Sequence, residues 1–471
     1  MRLAGFLSRA QVEMIHRNAL RVLNEVGARV EHPGVRTKLA VLGGLSDETT
    51  ERVRFPAKVI ERLIADARKS RDENHAPDVT GDCGIYQSMY LDPDKNKLIP
   101  FNEERLAKYI GLAKSLPSVK SIGMLGVPFL PEGVPAEYLP LAEKLYAWKY
   151  GIGTGGGSVH FTSLCKPLME LFTCHASMNG KKIGQVFSAA GYLISPLKLA
   201  RPECEQLLFF EEHGLHMNIG HLPTQGGTSP ASFAGAIVQA LAEQIFLYIL
   251  HRAFREDAEF TVGGSVSSVD FRNGMTCYGR PEQQRINLAF SDIGRFYGCQ
   301  SYSHTGLTDA KLPSCEAGAQ KASGALITAL ATGCGSVSIG LLSLDEICSP
   351  VQMVMDDDIT GGLKAVLADA VVNETECAFD EIAAAGNGGN HLGTDFTAAR
   401  FRKEFFMPKT WSWQSMAVWQ ESGRRIDVDA AREIVHNFER KFVPESRMSK
   451  DEECELRAII QRAVNSSAAS A

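Results

Sequence analysis

Residues 298–349, GCQSYSHTGLTDAKLPSCEAGAQKASGALITALATGCGSVSIGLLSLDEICS, decide how the rest of the chain reads. The run from Cys299 to His304 is short and partly alternating, which predicts a strand. A polar loop containing Gly306 follows, from Thr305 to Ser314. Small residues then dominate a predicted helix over 316–332, with Ala319, Ala322, Ala325 and Ala329 as the face that would pack on a sheet. After Gly333 and Gly335 a second strand is predicted over 336–342. Strand, loop, helix, strand is the unit from which parallel sheets are built. Polar residues gather where the two strands end: His304, Asp309 and Lys311 after the first, Ser343, Asp345 and Glu346 after the second. Ligands of α/β folds sit beyond the carboxyl ends of the strands.

The same rhythm runs outward from this unit. Strands are predicted at 119–125, 151–156, 183–190, 216–220 and 259–265, with helices at 103–115, 135–149, 164–178, 201–213, 231–254, 281–297 and 350–370. Seven parallel-type strands at βα spacing favour an α/β fold of the TIM (β/α)8 barrel type over a doubly wound sheet. Residues 370–390 hold no clean eighth strand. The early strand, the hairpin or a distorted segment is left to close the ring. The expected division is an N-terminal helical and hairpin extension (1–117), the barrel (118–397) and a C-terminal helical segment (398–471) packed on the barrel or on another subunit. In the first part, helices are predicted over 7–26, with Ser8 as N-cap and Gly27 as stop, and over 56–70. Residues 72–79 read as a loop. IYQSMYLDPDKNKLIPF (85–101) reads as a hairpin around Asp-Pro-Asp-Lys-Asn, with Tyr86 and Tyr90 on one face.

Bulk properties exclude several classes. The chain has 471 residues, 44% of them hydrophobic, enough to bury a large core. Its net charge is −6, from 49 basic and 55 acidic residues, with no basic block to suit nucleic acid. No signal peptide or membrane helix of roughly 20 apolar residues is read, so a cytoplasmic protein is expected. The 11 cysteines form no C-x-x-C pair and read as reduced thiols. Cys174 and His175 adjoin inside a predicted helix, where sequence neighbours face different ways, so no metal site is expected.

The predicted strand ends are rich in glycine and aromatic residues and carry a few acids. They hold no Arg or Lys cluster, which disfavours a phosphorylated substrate. The Gly153–Gly157 run lacks the Lys-Ser of a P-loop and reads as an open rim that lets a large partner approach. Such a mouth suits a quaternary ammonium, which has no N–H to donate and is held by aromatic faces. Candidate cage residues are Tyr86, Tyr90, Phe129, Tyr192, Tyr302 and Phe396; the alternative for each is packing. His221 and His304 are candidates to hold a substrate carboxylate, and Gln225 follows the same strand as His221. Asp345 and Glu346 could face the cation or cap the following turn. His391, in a glycine-rich loop, is a further mouth candidate.

Four stretches carry a family resemblance in one order. LSRAQVEMIHRNALRVLNEVGARVE (7–31), HLPTQGGTSPASFAGAIVQALAEQ (221–244), GLTDAKLPSCEAGAQKA (306–322) with GLLSLDE after it, and GNGGNHLGTDFT (386–397) are similar to the trimethylamine methyltransferase family. The resemblance implies a barrel that transfers a methyl group from an amine to a corrinoid (cobalamin) protein. The chain lacks the Asp-x-His-x-x-Gly element of corrinoid carriers, so the cofactor is expected on a separate partner. It contains only the twenty standard residues, and so resembles the branch without pyrrolysine, which implies glycine betaine or a related quaternary amine as substrate. No zinc is needed for such a reaction, because the leaving group is already a neutral amine. A homo-oligomer is expected. Two other readings stay open: a barrel lyase or decarboxylase using His304 and Glu346 as acid and base, and a non-catalytic betaine-binding barrel.

Overall fold

A computed structural model describes residue 3 and residues 5–71, 76–154 and 159–468. Residues 72–75 of the predicted loop, Gly155–Gly157 of the rim and the tail 469–471 lie outside the described residues.

The strands that carry the site are β1 (Asp78–Ile85), β2 (Val119–Met124), β3 (Ala190–Leu193), β4 (Asn218–His221), β5 (Val262–Gly264), β6 (Ser301–Ser303) and β7 (Cys334–Ser338). Helices alternate with them: α1 (Glu103–Ser115), α2 (Leu139–Lys149), α3 (Cys165–Met178), α4 (Arg201–Glu212), α5 (Phe233–Arg252), α6 (Pro281–Tyr297), α7 (Cys315–Thr332) and α8 (Pro350–Leu367). Strand β1, which bridges the end of the stretch read as a loop (72–79) and the start of the expected hairpin (85–101), pairs in parallel with both β2 and β7. Of the expected strand at 151–156, the described residues show a parallel bridge between Gly123 and Gly153. Val159 N–H then donates to Ala190 O (3.1 Å), β3 pairs with β4, and β5 pairs with β6, all in parallel. Ser338 N–H donates to Gly306 O (3.1 Å), which ties the chain after β6 to β7. Among the described residues these pairings fall into several small sheets rather than one closed hydrogen-bonded ring, and the fold is mixed α/β.

Period-two burial gives each strand an inner face. In β1, Val79, Cys83 and Ile85 are buried against helices, while Thr80, Asp82 and Gly84 alternate with them on the other side. The strand expected at 183–190 starts later, at Ala190. Val186 and Phe187 are apolar because they pack outside the sheet, Phe187 lying 5.1 Å from Phe172 and 4.9 Å from Phe210. The hairpin is shorter than expected. Met89–Leu91 pairs with Leu98–Ile99 across a turn in which Asp92 Oδ1 accepts from Asp94 and Lys95 N–H. The N-terminal helix runs Arg9–Arg21 behind a Ser8–Gln11 capping box, and Gly27 leaves it at φ 73°.

Helix α7 buries part of the predicted face, rotated toward Lys321. Ala325 and Ala329 are buried, but Ala319 is exposed, and Lys321 joins the buried face. Lys321 Nζ donates to Asp356 Oδ2 of α8 (2.6 Å) and to Ser338 O (2.7 Å), and both side chains are fully buried. Asp356 also accepts from Gly340 N–H and Gln352 Nε2. Burial lowers the Lys321 pKa and raises that of Asp356, each opposed by the partner's charge. The three consecutive acids of α8 diverge around the helix. Asp357 accepts from Ser118 and Lys409, and Asp358 from Lys409 and Thr410, so α8 grips β7, the start of β2 and the C-terminal segment together. Helix Asp427–Glu439 packs on α8, and Lys450–Ala468 on α2 and α3.

By length and composition α5 is apolar enough to cross a membrane, which the sequence reading passed over; most of it is buried core. Near its end, His251 is held down to a pKa of about 4, chiefly by burial and then by nearby His216. Unfolded, this imidazole takes up its proton near pH 6.5; folded, only near pH 4. Between those values the unfolded chain binds more protons, so stability rises with pH there. Wild type should lose about 2 to 3 kcal/mol more than His251→Gln between pH 7 and 4.5, at about 1.4 kcal/mol per pKa unit. Urea unfolding at the two pH values measures this, and equal losses would contradict it.

Candidate functional site

Two tyrosines stand opposite glycines in register. Tyr192 of β3 pairs with Gly220 of β4, and Tyr302 of β6 pairs with Gly263 of β5. A β-carbon on Gly220 would lie 3.3 Å from the Tyr192 ring, and one on Gly263 would lie 2.4 Å from the Tyr302 ring. Each ring therefore comes close against its neighbouring strand: at Gly263 a side chain would have to displace the ring, and at Gly220 it would crowd it. Tyr192 is 43% exposed and Tyr302 46%, yet burial raises both phenol pKa values. Both conditions hold when a side chain faces a hollow enclosed by protein. His304, two residues beyond Tyr302 and so on the same face, is also accessible, and burial lowers its pKa. Its ring meets Tyr278 edge-on at 6.0 Å.

At the carboxyl ends of the strands lies a cavity of about 820 Å³. Tyr86 and Gln87 after β1, Leu125 after β2, His160, Lys311, and Asp345 with Glu346 after β7 line it. The Tyr86 ring folds back over Gly84, where a β-carbon would approach to 2.7 Å. Its phenol pKa is raised by burial and then by the charges of Asp345, Tyr192 and Tyr278, so these four groups share one electrostatic neighbourhood. Tyr278 is pushed up to about 12 by burial and by Asp345. The Asp345 carboxyl is raised by burial and by adjacent Glu346. A cation beside it would favour its charged form.

The turn that presents Asp345 is held from both sides. Ser343 and Leu344 are left-handed (φ 50° and 67°), a strained conformation for residues with a β-carbon. Ser343 N–H donates to Ala310 O and Leu344 N–H to Thr308 O, both 2.8 Å. From the other side Met89 N–H donates to Glu346 O (2.8 Å). Ser343 Oγ donates to the Glu346 carboxylate (2.6 Å), so Glu346 braces the turn at the cavity edge.

Other predicted residues lie elsewhere. Tyr90 is 4% exposed and packs edge-on against Phe101 in the core, because the strand break after Ile85 turns it away from Tyr86. Phe129 packs on Tyr146 at 5.3 Å. Gln225 lies in a two-residue strand that pairs with Ser268, and donates to Ala231 O (2.8 Å). The Phe396 ring is covered by Arg400 at 3.6 Å, and His391 sits 3.4 Å from Glu381; both belong to the segment beyond α8 and line no part of the cavity. His221 faces α5 rather than the interior, with its side chain 1% exposed. Among the described residues no group of three His, Cys, Asp or Glu is placed to hold a metal.

Tyr278 was missed by the sequence reading. It ends an antiparallel excursion, Ser267–Asp270 with Met275–Cys277, whose signal is the Arg272-Asn273-Gly274 turn. Asp309 fixes its backbone by accepting from Tyr278 N–H (2.9 Å) and Gly279 N–H (3.0 Å).

The trimethylamine methyltransferase (MTTB) family model matches residues 183–468, more than half of the chain. The chain belongs to that family. The matched span includes Tyr192, Tyr278, Tyr302, His304 and Asp345, whereas Tyr86 precedes it. This MTTB-family chain is 25% identical over 422 residues to a glycine betaine methyltransferase of Desulfitobacterium hafniense (strain Y51), covering 86% of each. It is 30% identical over 415 residues to trimethylamine methyltransferase MttB1 of Methanosarcina mazei, covering 81% of this chain and 80% of that one. Against MttB of Methanosarcina barkeri it is 30% identical over 207 residues, only 42% of that protein's length. Among solved structures it resembles the Methanosarcina barkeri monomethylamine methyltransferase MtmB, with a TM-score of 0.44 and 12% identity over 91% of this chain and 92% of the other.

Proposed function

We propose that the chain is a quaternary amine methyltransferase, with glycine betaine or a close zwitterionic relative as methyl donor and a corrinoid on a separate protein as acceptor. The eight helices and the strands between them form, on this reading, a (β/α)8 barrel with the hairpin and the Ser343–Glu346 turn at its mouth. The observation that carries the proposal is the cluster of Tyr86, Tyr192 and Tyr278 around one desolvated carboxyl, Asp345, at the cavity, with Gly84 and Gly220 against two of the rings. On this reading Tyr302 extends the same wall, because it shares a strand face with His304, whose ring meets Tyr278. Aromatic faces and a carboxylate hold a cation that cannot donate a hydrogen bond. Relatives acting on glycine betaine and on trimethylamine support the substrate class.

The reduced corrinoid would supply the nucleophile that takes the methyl group, and the cavity opens at the strand ends, where a partner can approach. The chain's own residues then have three tasks. The tyrosines hold the ammonium and exclude water around it, Asp345 balances its charge, and His304 orients the carboxylate. Orientation and a preorganised field are the main catalytic effects open to such a site. An acid–base pair of His304 and Glu346 has no support: one packs on Tyr278 and the other bonds Ser343.

Calorimetry against glycine betaine, carnitine, proline betaine, choline and trimethylamine tests the reading. Binding of a zwitterionic quaternary amine, followed by methyl transfer to cob(I)alamin, is the expected result; no binding of any would overturn it. His304→Ala should weaken glycine betaine about tenfold, from loss of one charge-assisted hydrogen bond, and leave choline within twofold. The reverse ranking would remove His304 from the carboxylate role.

A further inference from the structure

His221, Glu243 and Gln244 form a buried chain that ends on Tyr302, whose partly exposed ring shares a strand face with His304. Glu243, on α5, takes His221 Nδ1–H (2.8 Å), Ser195 Oγ–H (2.8 Å), Leu197 N–H (3.2 Å) and Gln239 Nε2–H (3.0 Å) on its two oxygens. Four donors leave a carboxylate no role but acceptor, so Nδ1 carries the imidazole proton and Nε2 is left as acceptor. Gln244, the next residue of α5, meets both sides of the gap. Its Nε2 donates to His221 Nε2 (2.7 Å) and to the Tyr302 hydroxyl (2.7 Å). His221 thus dictates which end of the amide faces the two partners. The amide in turn pins the tip of the Tyr302 side chain, while Gly263 lies under its ring. Without that bond, the aromatic torsion of Tyr302 has only a flat glycine surface beneath it.

We infer that Glu243, His221 and Gln244 are positioning residues that lock the Tyr302 ring with its free face toward a bound quaternary ammonium. This inference rests on the quaternary amine reading and adds to it the groups that set the geometry of one aromatic wall. It changes the part His221 plays: a residue beside the strand end contacts no ligand and acts through two others. A cation–π contact depends on where the ring face points, whereas contact with a neutral group of the same shape depends on it far less. The signature is therefore a loss specific to charge.

The test compares glycine betaine with 3,3-dimethylbutanoate, its neutral-headed carbon isostere, by calorimetry on wild type, Gln244→Leu, Gln244→Glu and Tyr302→Phe. In Gln244→Leu and Tyr302→Phe the ring keeps its size but loses its pin. Both should weaken glycine betaine five- to tenfold and 3,3-dimethylbutanoate less than twofold. Gln244→Glu can accept from the Tyr302 hydroxyl, and from His221 once Nε2 takes up a proton, and so replaces the pin; it should bind glycine betaine within about threefold of wild type. Circular dichroism melts identify any variant that has not folded, and the remaining variants decide. Equal weakening of both ligands, or unchanged glycine betaine binding in Tyr302→Phe, would overturn the positioning role while leaving the substrate reading intact. Failure of wild type to bind any quaternary amine would overturn both.

Discussion

Replacing Tyr192 with alanine is expected to weaken binding of glycine betaine about 30- to 100-fold, and 3,3-dimethylbutanoate by less than tenfold. A desolvated cation–π contact contributes about 2 kcal/mol, which is roughly 30-fold, and lost ring contact adds to it for both ligands. Tyr192 is suited to so large an effect because its ring is held over Gly220 and almost half of its surface faces the hollow. Tyr86→Ala should behave alike, because its phenol shares the neighbourhood of Asp345 and Tyr192. Calorimetry on the two pairs measures both effects. Equal weakening of cation and neutral isostere by Tyr192→Ala would show that the ring contributes only shape.

The second large effect is on stability. Lys321→Met should lower the unfolding free energy by about 3 to 5 kcal/mol, because it leaves the Asp356 carboxylate buried without its cation. The double variant Lys321→Met/Asp356→Leu should recover most of that loss, since removing both charges removes the need to desolvate either. Urea denaturation of the three proteins gives the comparison. A double variant no more stable than the single one would mean that Ser338 O and Gly340 N–H, left without partners, dominate instead. The pair also bears on the site. Lys321 holds Ser338 and Asp356 holds Gly340, a few residues before the turn that presents Asp345. Loss of the pair should therefore loosen ligand binding even where the chain remains folded.

Much of the architecture was legible in the chain. Helix limits followed from apolar periodicity and, in the first helix, from the Ser8 cap, which accepts a backbone N–H of the first turn. The strand–loop–helix–strand unit at 298–349 was readable because its small residues and glycines serve local packing, and the family resemblance pointed to an amine methyltransferase. Strand β1 was not legible. Asp78–Ile85 carries the glycines Gly81 and Gly84 and the polar Thr80 and Asp82, so it lacks the apolar content of a central strand. It holds that place because Val79, Cys83 and Ile85 pack into the core on one side while the residues between them need no apolar partner on the other.

The site divides in the same way. That aromatics and acids would gather after the strands follows from the order of residues along the chain, and Tyr86, Tyr192, Tyr302, His304 and Asp345 were all nameable from it. Which way each side chain turns depends on contacts made by residues far apart in sequence. Tyr90 lies four residues from Tyr86 but is buried with Phe101, because the strand breaks between the two tyrosines. His221 looked like a ligand contact until Glu243 and Gln244, more than twenty residues later, claimed both ring nitrogens. Tyr278 joins the hollow because Asp309, 31 positions away, holds its backbone N–H. A sequence states which chemical groups are available at a strand end; the partners that reach each side chain decide which of them a ligand can touch.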